Sequence, residues 1–148
     1  MSQPTEEPLQ QQQQSLYFEM PLRVYIEDTD AGGIVFYVNY LKYMERARTE
    51  LMRSLGYGKA AIFADDMMFV VHSLDMQYLA PARLDDELVV SAKVLKVGKA
   101  AVDFEQTVRC GDQTLCTGGI KVACVRRSDQ KPVGMPAQLR QQLAGVQI

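Results

Sequence analysis

Asp28-Thr29-Asp30-Ala31-Gly32-Gly33-Ile34-Val35-Phe36-Tyr37-Val38-Asn39-Tyr40 runs from a carboxylate pair through adjacent glycines into a helical pattern. Beyond Val38, the apolar residues Leu41, Met44, Ala47, Leu51 and Leu55 recur at spacings of three and four, which predicts a helix from near Val38 to Leu55. Gly56 is placed to cap its C-terminal end, and Arg46 and Glu50 are spaced as an i,i+4 ion pair on the wet side. Adjacent glycines reach backbone conformations that a side chain forbids and let the main chain press against a ligand. A helix start leaves its first N–H groups unpaired and partially positive. A carboxylate one loop away from such donors supplies a base or nucleophile facing an oxyanion site, the two parts needed to attack an acyl group. The plainer reading is that Asp28 and Asp30 are turn and cap residues, since Asp before Gly is favoured in loops by local hydrogen bonding.

The flanking sequence reads mainly as strands. Apolar residues alternate loosely from Phe18 to Ile26, a first strand leading into the loop. After the helix come Met68 to Leu79, with Met68, Val70, Leu74, Met76 and Tyr78 on one side and Pro81 at its end, and then Glu87 to Val97. Gly98-Lys99 marks a tight return. In the next strand Val102, Phe104, Val108 and Cys110 alternate with Asp103, Glu105, Thr107 and Arg109. Gly111-Asp112 turns into a last strand with Ile120, Val122 and Cys124 facing inward, and Gly118-Gly119 suggests a bulge or bend. Close succession of these four strands favours an antiparallel meander. The expected class is α+β: a curved antiparallel sheet of about five strands around one long helix. The divisions are a flexible Gln-rich arm over 1–17, a domain over 18–130 and a tail over 131–148 with a short helix from Ala137 to Leu143. One helix and one sheet leave an edge open, so strand pairing across a two-fold axis is expected.

Composition narrows the chemistry. A 148-residue chain with 47% hydrophobic and 23% charged residues fits one globular domain. A net charge of −2 gives no general attraction to nucleic acid or anionic membrane. No apolar run approaches spanning length, and the amino terminus lacks the basic and apolar regions of a signal peptide, so a cytoplasmic location without membrane insertion is expected. Cys110, Cys116 and Cys124 lack metal-ligand spacing and fall on apolar strand parity, as buried thiols do. His72, the single histidine, also falls on apolar parity. No Gly-x-Ser-x-Gly elbow or phosphate-cradling loop accompanies it. No metal or redox cofactor is expected.

The run Arg23-Val24-Tyr25-Ile26-Glu27-Asp28-Thr29-Asp30-Ala31-Gly32-Gly33-Ile34-Val35, with Asn39-Tyr40 and Glu45-Arg46-Ala47-Arg48-Thr49-Glu50, resembles acyl-CoA thioesterases of the 4-hydroxybenzoyl-CoA thioesterase family. Together with the later run Tyr78-Leu79-Ala80-Pro81-Ala82-Arg83-Leu84-Asp85-Asp86, it is most similar to the branch associated with the Tol-Pal envelope system. The resemblance implies a hotdog fold with active sites shared between two subunits, in a homodimer at minimum and a homotetramer as the fuller assembly. It carries a catalytic carboxylate onto Asp30 and a carbonyl-polarising main-chain N–H onto Tyr37, where many relatives have His. Gly33 would permit close approach of substrate, Val38 would wall the pocket, and Lys99 would meet the nucleotide of CoA. The implied substrate is acyl-CoA or acyl carrier protein, hydrolysed to free acid and thiol. Two other readings stay open: a hotdog enoyl-thioester hydratase, and an acyl-thioester-binding or interaction module linked to phospholipid and envelope assembly.

Overall fold

The computed structural model describes residues 16–58, 62 and 64–145. Most of the expected N-terminal arm and part of the connection between Tyr57 and Asp66 lie outside them. Five strands, β1 (Tyr17–Arg23), β2 (Met67–Tyr78), β3 (Glu87–Val97), β4 (Ala101–Cys110) and β5 (Gln113–Arg126), form one antiparallel sheet in the order β1-β3-β4-β5-β2. Helix α1 (Asn39–Ser54) packs mainly across β3, β1 and β4, and a short α2 (Ala137–Leu143) lies against β3. No helix among the described residues is long and apolar enough to cross a membrane.

The helix follows from its spacing. Tyr40, Tyr43, Met44, Ala47, Leu51 and Met52 make its buried stripe. Gly56, in the left-handed region at φ +88°, ends it: its N–H donates to the Arg53 carbonyl and the Tyr57 N–H to that of Met52. Glu50 pairs with Arg53 at 3.6 Å rather than with Arg46, because the Arg46 guanidinium lies over the Tyr43 ring, 6.0 Å from its centroid.

The four later strands do not form a simple meander. β3, β4 and β5 do, but β2 crosses to the far edge and pairs with β5. A 12-residue strand following a helix that spans the sheet finds its free hydrogen-bonding edge on the other side. The register of β2 shifts between Val71 and Ser73, and this bulge overturns the single-parity reading of the strand. Met67, Phe69 and Val71 lie opposite Arg126, Cys124 and Val122, whereas Leu74, Met76 and Tyr78 lie opposite Ile120, Gly118 and Cys116. The inner face thus changes from odd to even residues, and Met68 and Val70 take the outer side. His72 sits at the bulge and is exposed, not on the apolar side.

The bend expected at Gly118-Gly119 has a steric cause. A Cβ at Gly118 would lie 2.6 Å from the Met76 Sδ and 3.2 Å from the Met44 Sδ, so the thioethers of helix and sheet fill the space a side chain would take. Next to it, Gln106 is fully buried on the inner face of β4. The β3–β4 ladder has no residue pairs between Val90–Val108 and Lys93–Glu105, and Gln106 bridges that gap. Its Nε2 donates to the carbonyls of Ser91 (3.1 Å) and Met44 (3.0 Å), and its Oε1 accepts from Arg48 Nη1 (2.8 Å). Burial pulls the Arg48 pKa down, with Glu45 opposing the shift. Gln106→Leu keeps the volume but leaves two carbonyls and a half-buried guanidinium without this partner. A loss of about 2–4 kcal/mol is expected in chemical denaturation, and a change under about 0.5 kcal/mol would remove Gln106 as the bridge.

Candidate active site

The loop between β1 and α1 is set by its own sequence. Tyr25 begins a 3-10 turn over Ile26–Asp28, and its N–H donates to the Asp28 carboxylate at 2.9 Å. The Asp28 carbonyl accepts both the Phe36 N–H (3.0 Å) and the Asn39 side-chain amide (2.8 Å), so Asp28 closes the loop from both ends. Between these anchors the chain reverses: Gly33 donates its N–H to the Asp30 carbonyl and adopts φ +80°, where a side chain would be strained. Asp30 is exposed at the tip. Its Oδ1 accepts the Gly32 N–H at 2.8 Å, and a Cβ on Gly32 would crowd that oxygen at 3.3 Å.

A second segment clamps the first. The connection after β2 pairs with the glycine loop through an Ile34–Arg83 bridge, and the Val35 N–H donates to the Ala82 carbonyl at 2.8 Å. The Ala82 N–H donates to the Tyr40 hydroxyl at 2.9 Å. The first turn of α1, the Asp30 loop and the Tyr78–Asp86 stretch therefore form one unit, which explains why two distant runs of sequence carry the same resemblance.

The helix start is open. Phe36 N–H goes to Asp28 and Asn39 N–H to Phe36, but those of Tyr37 and Val38 donate to nothing among the described residues. With the helix dipole behind them, these amides attract negative charge. The Tyr37 ring is exposed and meets Tyr78 edge to face, with centroids 5.9 Å apart; Phe36 and Tyr40 extend this aromatic group. Beneath the loop, burial and the charge of Asp28 push the Tyr43 phenol up, so it stays neutral.

The loop thus unites Asp30, Gly33, Tyr37 and Val38. Lys99 is not among them. It occupies the β3–β4 turn, while the loop is stapled to the start of β3, so the eleven residues of β3 separate them by roughly 30 Å of strand. Cysteine chemistry is disfavoured: burial pushes Cys116 and Cys124 up to about 11, leaving neutral thiols at pH 7. No His, Cys, Asp and Glu group among the described residues is arranged to hold a metal. Sequence reasoning missed Tyr40 as the clamp and Gln106 as the bridge. Gln106 had a signal, a polar residue on the apolar parity of Val102, Phe104 and Val108; Tyr40 had none, because its hydroxyl partner is 42 residues away.

Fold and loop together define a hotdog-type α+β protein with a carboxylate beside unpaired helix-start amides. The sequence model of the Thioesterase superfamily matches residues 32–117, and the chain belongs to that family. It is 40% identical to the acyl-CoA thioesterase YbgC of Haemophilus influenzae, over 83% of this chain and 91% of that one. It is 37% identical to the acyl-CoA thioester hydrolase YbgC of an Escherichia coli O6:H1 strain, over 82% and 92%. A probable thioesterase of Bartonella henselae superposes with a TM-score of 0.77 at 27% identity, covering 82% of this chain and all of that one. A Staphylococcus aureus protein solved in complex with CoA shares the fold at a TM-score of 0.82 and 14% identity, over 88% of this chain and 84% of that one.

Proposed function

We propose that this chain hydrolyses the thioester of acyl-CoA to a free acid and CoA, with Asp30 as nucleophile or general base and the main-chain N–H groups of Tyr37 and Val38 as oxyanion donors. The observation that carries this reading is the pair of unpaired amides on the loop that Tyr40 and Ala82 clamp around Asp30. The thioester carbonyl oxygen accepts from these amides, and Gly33, without a side chain, lets the acyl carbon approach. As that carbon becomes tetrahedral its oxygen gains charge, so fixed donors hold the transition state more tightly than the ground state. Asp30 either attacks the carbon, expelling CoA thiolate and leaving a mixed anhydride that water opens, or takes a proton from the attacking water. In both routes the thiolate leaves and is protonated, and the acid is released.

The site works in a homodimer, the minimum assembly, with a tetramer as its extension. α1 leaves much of the inner face of β2 bare: Val71, Leu74 and Tyr78 are 47%, 44% and 45% exposed, and the outer edge of β2 is unpaired. Antiparallel pairing of β2 with a second copy covers this surface and inverts the partner sheet. The partner's Lys99 end then lies at the end where this chain holds Asp30. Lys99 therefore meets the nucleotide of a CoA bound at the neighbouring copy's loop, since the pantetheine arm is shorter than β3.

A thiol-release assay over short, long and aromatic acyl-CoA and over acyl carrier protein thioesters tests the reading. One thiol per acid released is expected, with Tyr37→Phe nearly unaltered because its main chain is the donor. Hydration of crotonyl-CoA without any thiol release would overturn it in favour of a hydratase.

A further inference from the structure

At the end of the sheet away from Asp30, the β3–β4 turn and α2 enclose a cleft of about 350 Å³ lined by Val97, Gly98, Lys99, Ala137, Arg140 and Gln141, with Ala144 at its margin. Two features make it a site rather than a surface dip. Both charged groups lining it are cations, no carboxylate lines it, and neither cation is in an ion pair among the described residues. In addition, the Arg140 Nε is buried and donates to nothing there. A buried guanidinium N–H without an acceptor is costly, and an anion in the cleft would relieve that cost.

The cleft is held in shape by the chain itself. The Met135 N–H donates to the Lys99 carbonyl at 2.9 Å, tying the segment before α2 to the turn. The Lys99 stem lies across Gly134, where a Cβ would come within 3.3 Å of its Cε. Leu139 and Leu143 are fully buried, so α2 is anchored and presents Arg140 from a fixed backbone. Arg140 and Gln141 lie beyond residues 32–117, the part of the chain that matches the family.

We infer that Lys99 and Arg140 together form a phosphate-binding cleft that takes the phosphorylated nucleotide of a CoA thioester whose acyl group lies at the Asp30 of a second copy. This rests on the thioesterase reading. Lys99 supplies a mobile point charge, and Arg140 supplies planar paired donors that suit a phosphate.

Binding of adenosine 3′,5′-bisphosphate and of inorganic pyrophosphate to the full-length protein is measured by calorimetry. Arg140→Gln and Lys99→Gln should each weaken bisphosphate binding about tenfold, and Arg140→Lys should recover part of the loss. In kinetics, the preference for acyl-CoA over the same acyl-pantetheine, read as a ratio of KM values, should fall by about the same factor. Co-expression of Asp30→Asn with the Lys99→Gln/Arg140→Gln double variant tests the sharing. Mixed dimers should contain sites with wild-type KM, since the intact Asp30 faces the intact cleft. Unchanged bisphosphate binding in Arg140→Gln overturns the cleft even where thioesters are hydrolysed, and only high-KM sites in the mixed dimers overturn the sharing. Arg140-dependent bisphosphate binding by a protein that cleaves no thioester would instead keep the cleft and remove the thioesterase reading.

Discussion

Asp30→Asn is expected to reduce thioester turnover about a thousandfold while leaving the fold intact. The two side chains are nearly isosteric, and an amide oxygen still accepts the Gly32 N–H that Asp30 Oδ1 accepts at 2.8 Å, so the loop geometry survives. The charge is what disappears. A neutral amide neither attacks a carbonyl nor takes a proton from water, and loss of either role at a positioned site costs about 10²–10⁴ in rate. Because Asp30 is exposed at the loop tip, the substitution should alter stability by less than about 0.5 kcal/mol. Thiol release under single-turnover conditions, beside a denaturation curve, separates the two effects. A variant that turns over at the wild-type rate would move the chemistry away from Asp30. Asp28→Asn is the informative contrast: it loosens the cap to the Tyr25 N–H and should lower stability as well as activity.

Leu74→Asp is expected to dissociate the assembly and to abolish activity with it. In a single chain Leu74 is 44% exposed, so an isolated subunit accommodates the carboxylate at the surface. In the proposed dimer the same position is covered, and burying an unpaired charge costs on the order of 3–5 kcal/mol, weakening association by more than about a hundredfold. Sedimentation across a concentration series should show monomers with wild-type circular dichroism. Activity should fall in proportion to the dimer lost, because Lys99 and Arg140 would no longer stand beside the neighbouring Asp30. A monomeric wild-type protein with full activity would refute the shared site. So would a Leu74→Asp variant that keeps both assembly and turnover.

The contrast between α1 and β2 explains what could be read in advance. The buried stripe of α1 and its Gly56 cap depend on residues three or four apart, which touch through local geometry alone, so the pattern and the element agree. Alternation in β4 is equally local. In β2 the alternation is broken by one inserted residue near His72, and nothing in the sequence marks a bulge that exists only because Ser73 pairs with Lys121. Its place at the far edge has the same origin, since strand order depends on contacts between residues some 50 positions apart, such as Val70 and Ala123. The ion pair of Glu50 was misassigned for a related reason: Arg46 is drawn to an aromatic face that helical spacing alone does not reveal.

By itself the amino-acid order determined the long amphipathic helix, the strand-forming segments, and a loop in which Asp30 precedes glycines and a helix start. These are consequences of neighbouring residues and of the backbone freedom of Gly33. Only the tertiary structure decided that the Tyr37 and Val38 amides remain unpaired, that Tyr40 and Ala82 hold the loop, and that Lys99 stands with Arg140 at the opposite end of β3. Hydrogen bonds compete for every available partner in the folded chain, and the length of a strand is a distance that no local pattern can shorten.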